Sequence, residues 1–349
     1  MKGLKKIIVW TLIPVVVEML GFFYIDNFYL KDQTTFTTNK VNVSSAKSNN
    51  KIDVTIPSDG KNIGVSYNGD YISYYQNGGI EVIDTTNNKK NEITVGDNIK
   101  ISSYKWLPDR DIMLIAEKYN NGYGTSYIQL ESYNAKKNQK TVLSDQNNKQ
   151  LKILLPDNKY DVLDMTLSTA TNVTYIKIGK NGVRSKLYRI NVMVQMENVN
   201  YFFGKLGKIV ATNKEDKLVY EDLTNNRIRV VGLKDPIATG ENAMHYLLNT
   251  DNEDQIYIGN GENGKVNKIF VASLKKPRKD WNVITLKKAV NRDDIYITRF
   301  GKIYVNDSLK GTVTDLETGK QTSYKGVLIQ IYDSGVISKS DNKVIGTAF

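Results

Sequence analysis

From residue 70 onward one kind of short apolar run keeps returning, and this rhythm limits the fold more than any other feature of the chain. The runs are YISYY after Asp70, IMLIAE after Asp111, VTYIKI after Asn172, KIVATN after Gly207, QIYIGN after Asp254 and KIYVND after Gly301. Their starts lie 41, 61, 35, 47 and 47 residues apart, close to the period of about 40–50 residues of a β-propeller blade. Each reads as the second strand of a blade. A further run and a polar turn follow, as at Ile80, Ile128, Leu218 and Val313. Asn, Gly and Asp gather at these turns because they tolerate the positive φ that tight hairpins demand. Beyond residue 25 no long stretch has a 3.6-residue apolar period, so the helices of an α/β enzyme are missing.

The expected fold is therefore all-β, a single β-propeller of seven blades. Six is the alternative, because residues 160–201 are irregular. The last stretch, residues 327–349, supplies only three strands. The alternating KIDVTI of residues 51–56 can supply the fourth, pairing the two ends of the chain and removing an exposed sheet edge.

Two stretches carry a family resemblance. SYNGDYISY from Ser66 and YKWLPDRDIMLI from Tyr104 resemble the W-S-P-D-G-x-x-(I/L)-A repeat of TolB-like and dipeptidyl-peptidase-type, WD40-like propellers. Trp106, Pro108 and Asp109 keep the pattern, while Leu107 replaces its Ser and Arg110 its Gly; the first copy keeps Gly69 and has Asn68 for Asp. The resemblance covers two blades and implies a strand, a tight turn and the next strand. It implies no activity, because propellers host unrelated functions. The serine hydrolases that share such propellers need a G-x-S-x-G elbow, which is missing here.

The N-terminus predicts an address. Lys2, Lys5 and Lys6 precede IIVWTLIPVVVEMLGFFYI, residues 7–25, a length that matches a hydrocarbon core of about 30 Å at ~1.5 Å per residue. The lysines predict a cytoplasmic N-terminus. A cleaved signal would end in small residues; this run ends in Phe22, Phe23 and Tyr24. The expected organisation is a basic cytoplasmic tail at 1–6, a transmembrane signal anchor at 7–25, a flexible Thr/Ser/Asn/Lys tether at 26–50 and an extracellular propeller at 51–349, in a single-pass protein of the cell membrane. Glu18 is the one ionisable group in the apolar run, and a candidate contact for a partner helix.

Reactive chemistry is scarce. The chain has no cysteine and one histidine, His245, which excludes disulfides, thiol catalysis, cysteine-based zinc sites and paired-histidine metal motifs. His245 lies in an apolar run and reads as structural. The acidic clusters at 251–254 and 292–294 lack EF-hand spacing and read as turns at blade junctions. GNGENG, residues 259–264, lacks the Lys-Ser/Thr ending of a phosphate loop. No catalytic, cofactor or metal site is expected.

Lys+Arg number 48 against 37 Asp+Glu, a net charge of +11. The densest basic segment carries Lys275, Lys276, Arg278, Lys279, Lys287 and Lys288 against Asp280, with Trp281 among them. These residues are the candidate site for an anionic surface polymer or an acidic protein partner; export argues against nucleic acid. The expected function is a membrane-anchored, non-enzymatic binding or scaffold protein. The alternatives are a propeller hydrolase or lyase using channel carboxylates, and the outer subunit of a membrane machine docked through the transmembrane helix. Richness in Asn, Lys and Ile without cysteine fits an AT-rich Gram-positive source.

Overall fold

In the computed structural model, which describes residues 2–24, 52–120, 125–180, 185–199 and 205–349, the chain turns where Asn meets Gly. Asn77 and Gly78 have φ of 51° and 86°, and Asn263 and Gly264 have 52° and 78°. Two positive values in succession give the turn whose twist matches that of the flanking strands. One pair joins Tyr71–Gln76 to Gly79–Asp84, and the other joins Ile256–Glu262 to Lys265–Ala272.

Repeated along the chain, such hairpins build seven antiparallel sheets. Blades 1 to 6 take residues 61–93, 99–154, 161–198, 206–230, 244–291 and 295–323. Blade 7 takes 327–348 together with 53–55. The molecule is a seven-bladed β-propeller. The first strands of successive blades approach one another around a central channel. The apolar core lies between blades: Val210, Val219 and Ile228 of blade 4 pack on Leu247, Ile258 and Phe270 of blade 5. Each such side chain contributes about 1.5–3 kcal/mol on burial.

The two ends of the propeller meet in blade 7. Asp53 pairs with Ile345, Val54 with Val344 and Thr55 with Lys343. Ile52, Val54 and Ile56 are buried among Val65, Ile72, Ile83 and Ile337. The last blade thus has no free outer edge at its third strand.

Three expectations change. The six-bladed alternative falls, because residues 161–198 form a complete blade; it reads as irregular since a register shift interrupts its first strand between Val162 and Asp164 and its outer strand, Met196–Asn198, is fully exposed. The run after Gly207 lies in a first strand, Leu206–Ala211, and the second strand of blade 4 is Leu218–Asp222. All five residues of that second strand are buried, so both strands look alike in the sequence. The acidic cluster at 251–254 is the turn between the first two strands of blade 5, within a blade and not at a junction. The segment 292–294 does link blade 5 to blade 6.

Among the described residues outside the propeller there is one helix, Lys2–Tyr24, with Pro14 inside it. Residues 12–24 of this helix, Glu18 included, are exposed. Ile25, the tether and Lys51 lie outside the described residues. Among the described residues, which leave out the side chains of residues 2–5, 7–9 and 11, no helix is long and apolar enough to cross a membrane.

Candidate functional site

The innermost strands do not pair evenly. Register shifts interrupt them between Lys61 and Gly64, Ile101 and Ser103, Val162 and Asp164, Leu206 and Ile209, Leu247 and Asn249, and Leu328 and Gln330. A bulge takes a residue out of the ladder and leaves its carbonyl needing a donor. Neighbouring blades supply donors to three such residues, Gly207, Leu248 and Asn62, and further bonds cross the remaining joints. Lys177 Nζ donates to Gly207 O at 2.7 Å, Lys208 Nζ to Leu248 O, and the Tyr104 hydroxyl to Asn62 O. Lys105 Nζ reaches Met165 O at 2.6 Å, and Asn249 Nδ2 reaches Ile297 O at 3.0 Å. Arg299 Nε meets Asp333 at 2.6 Å, and Gln330 Nε2 reaches Val65 O at 3.4 Å. Every joint between neighbouring blades is crossed by at least one of these bonds. Burial and the nearby charges of Lys105 and Arg292 lower the Lys208 pKa.

Three of the channel acids, Glu221, Asp251 and Asp333, are already engaged. Glu221 accepts the N–H groups of Lys208 at 2.9 Å and Leu247 at 2.8 Å, and pairs with Arg292 at 2.8 Å. Asp251 accepts the N–H groups of Glu253 and Gln255, both at 2.9 Å, and the Tyr257 hydroxyl at 2.8 Å. Burial pushes the Asp333 carboxyl up while Arg299 pulls it down, burial prevailing. Arg299 also reaches from blade 6 to Pro108 O of blade 2 at 2.9 Å, with Tyr67 under its guanidinium. Its side chain lies across one mouth of the channel.

The arrangement nearest to a catalytic carboxylate pair is in blade 2. Glu117 and Glu131 have side chains 1% and 4% exposed, and Lys140 Nζ sits over them at 2.8 and 3.2 Å. Burial and then the Glu117 charge raise the Glu131 pKa. His245 Nε2 is 2.8 Å from Thr239 Oγ1, and burial lowers its pKa. Among the described residues no three His, Cys, Asp or Glu side chains are grouped to hold a metal ion.

The basic segment is only partly a patch. Residues 275–279 lie in the turn after the third strand of blade 5, while Lys287 and Lys288 lie on its fourth strand, Asn282–Asn291. Lys275 pairs with Glu215 at 2.6 Å, and Lys288 reaches Asp307 at 3.7 Å. The Arg278 guanidinium covers Gly240, where a Cβ would meet Nη1 at 1.7 Å. Trp281 packs on the core between blades 4 and 5 and donates its indole N–H to Lys276 O at 3.1 Å. Lys276, Lys279 and Lys287 remain without an ion pair among the described residues. Glu18 belongs to the separate N-terminal helix.

One hollow was not anticipated. It is a cleft of about 790 Å³ between the inner strands of blades 1 and 2, lined by Tyr67, Tyr75, Tyr104, Trp106, Asn62 and Ser103 among others. Tyr67, Lys105, Trp106, Pro108 and Gln330 also line a hollow of about 310 Å³ in the channel, so the two adjoin. The alternation Tyr104-x-Trp106 on an inner strand is the signal that could have located it. No protein-family model matches the chain, and neither does any curated protein.

Proposed function

We propose that this chain is a non-enzymatic binding protein, a rigid propeller that recognises a protein or an anionic surface polymer and is held at the outer face of the cell membrane by its N-terminal segment. The state of the channel carries the reading. Acid–base catalysis by carboxylates requires one within reach of the substrate's proton. Glu221, Asp251 and Asp333 are occupied by cations, a phenol and backbone N–H groups, Glu117 and Glu131 are sealed under Lys140, and Arg299 lies over one channel mouth. A hydrolase or lyase working through channel carboxylates is the poorer fit. Lys276, Lys279 and Lys287 leave positive charge available to an anionic partner. The likeness to TolB-type repeats supports the propeller and says nothing of the partner.

Membrane attachment is supported by Lys2, Lys5 and Lys6 ahead of an apolar run, and by a helix exposing Trp10, Leu12, Ile13 and Phe22. Docking into a larger assembly through Glu18 is the further reading. Washing membranes from cells that make the full chain with alkaline carbonate, then treating intact cells with protease, tests attachment and orientation. The chain should stay with the membrane and lose a C-terminal epitope to external protease. Release by carbonate would remove the anchor from the account.

A further inference from the structure

We propose that the cleft between blades 1 and 2 is a carbohydrate site that takes a pyranose unit of the surface polymer; this deepens the binding reading above and rests on it. The cleft alternates ring surface with hydrogen-bonding groups. Tyr104 and Trp106 are fixed by their own polar atoms: the Tyr104 hydroxyl is held by Asn62 O, and the Trp106 indole N–H by Ser73 Oγ at 2.8 Å. Trp106 also stacks on Tyr71 with ring centroids 6.2 Å apart. These rings are therefore pre-set: Trp106, 8% exposed, forms the floor of the cleft, and the half-buried rings of Tyr67, Tyr75 and Tyr104 offer carbon surface. At Gly64, on the cleft wall, a Cβ would meet the indole Cδ1 at 3.1 Å, so glycine lets the inner strand pack close on the indole edge and hold it in place.

The remaining polar groups are uncommitted. The hydroxyls of Tyr67, Tyr75 and Ser103 and the Asn62 side-chain amide line the cleft and have no hydrogen bond within the described residues. A pyranose ring is divided in the same way. Its C–H face is apolar and packs against the negative face of an aromatic ring, while its rim carries hydroxyls that both donate and accept. A volume of about 790 Å³ lies within the ~300–1,000 Å³ of small-molecule sites and has room for more than one ring.

Other occupants fit less well. A purely apolar ligand would bury those hydroxyls and the amide without partners, at a cost. A nucleotide or free phosphate needs a cation, and the one cation on the wall, Lys105, already spends its ammonium on Met165 O at 2.6 Å. A proline-rich peptide brings few donors and would leave the acceptor oxygens of Asn62 and Ser103 unmet.

The test is calorimetric titration of the detergent-solubilised full chain with tetramers of β-1,4-linked N-acetylglucosamine, glucose and galactose. At least one tetramer should bind saturably. Tyr75→Ala should weaken it at least tenfold, and Tyr75→Phe, which keeps the ring, by less. Ser103→Ala gives a second variant if Tyr75→Ala misfolds, and should weaken binding several-fold with an unchanged circular dichroism spectrum. Lys276→Gln/Lys279→Gln/Lys287→Gln should leave the tetramer affinity unchanged. No saturable binding of any tetramer, or full affinity in folded Tyr75→Ala, overturns the proposal. Poly(glycerol phosphate) captured by the wild type and lost with the triple lysine variant, without tetramer binding, would sink the cleft and leave the wider binding reading standing.

Discussion

Glu131 is buried beside a second carboxylate, and its raised pKa fixes the sign of a pH effect. The folded chain holds this proton more tightly than the unfolded one, whose glutamates titrate near ~4.3. The stability it contributes is full below that value and is lost as pH rises through the folded pKa. Glu131→Gln, neutral throughout, should keep Tm at or above wild type at neutral pH and flatten that decline in scanning calorimetry; an unchanged slope would count against the assignment. His245 has the opposite sign. Its lowered pKa means that the neutral ring stabilises above ~6.5 and that this is lost as pH falls through the folded value. His245→Gln should remove that acid-side loss, measured the same way. Arg292→Met is a different case, since it strands the Glu221 carboxylate, whose side chain is 4% exposed. Breaking a buried pair costs about 3 kcal/mol or more. Denaturant unfolding should show a loss of that order, and Glu221→Gln added to Arg292→Met should recover part of it; no recovery would mean that the pair is not the cause.

At the scale of strands and turns, the closing pair is the most exposed to test. Val54 sits opposite Val344 and is buried. Val54→Pro denies the ladder a donor and leaves a buried acceptor unpaired, which should cost about 1–3 kcal/mol, read as a lower denaturation midpoint. A midpoint equal to wild type would mean that the terminal strand does not close the ring. Much at this scale was legible. Asn77-Gly78 announced its hairpin, and the alternation around Val54 marked a strand. Blade 4 was mis-phased because Leu206–Ala211 and Leu218–Asp222 are both apolar, and spacing does not separate an inner strand from its neighbour. The bulges were invisible, since a bulge exists only relative to the partner strand. Nothing in the sequence marks Lys105, Lys177 and Lys208, each of which bridges two blades. Trp281 looked like an exposed anchor because a sequence shows its charged neighbours and not the core its ring packs against. The aromatic cleft draws its walls from two blades, Tyr75 from one and Trp106 from the other, and only the ring brings them together.

For the whole molecule, the net charge of +11 is not simply a surface property. Lys105, Lys177, Lys208, Arg292 and Arg299 are spent inside the ring, tying blades together and covering acids. A scaffold locked in this way suits recognition, because its loops and its cleft are held in place before any partner arrives. The same locking engages the carboxylates of Glu221, Asp251 and Asp333. The most direct measurement is to incubate the purified full chain with surface polysaccharide and follow retention of the polymer and the appearance of new reducing ends together. The account predicts that polymer is retained and recovered at its original length. New ends that accumulate with the wild type and vanish with Glu117→Gln would contradict it.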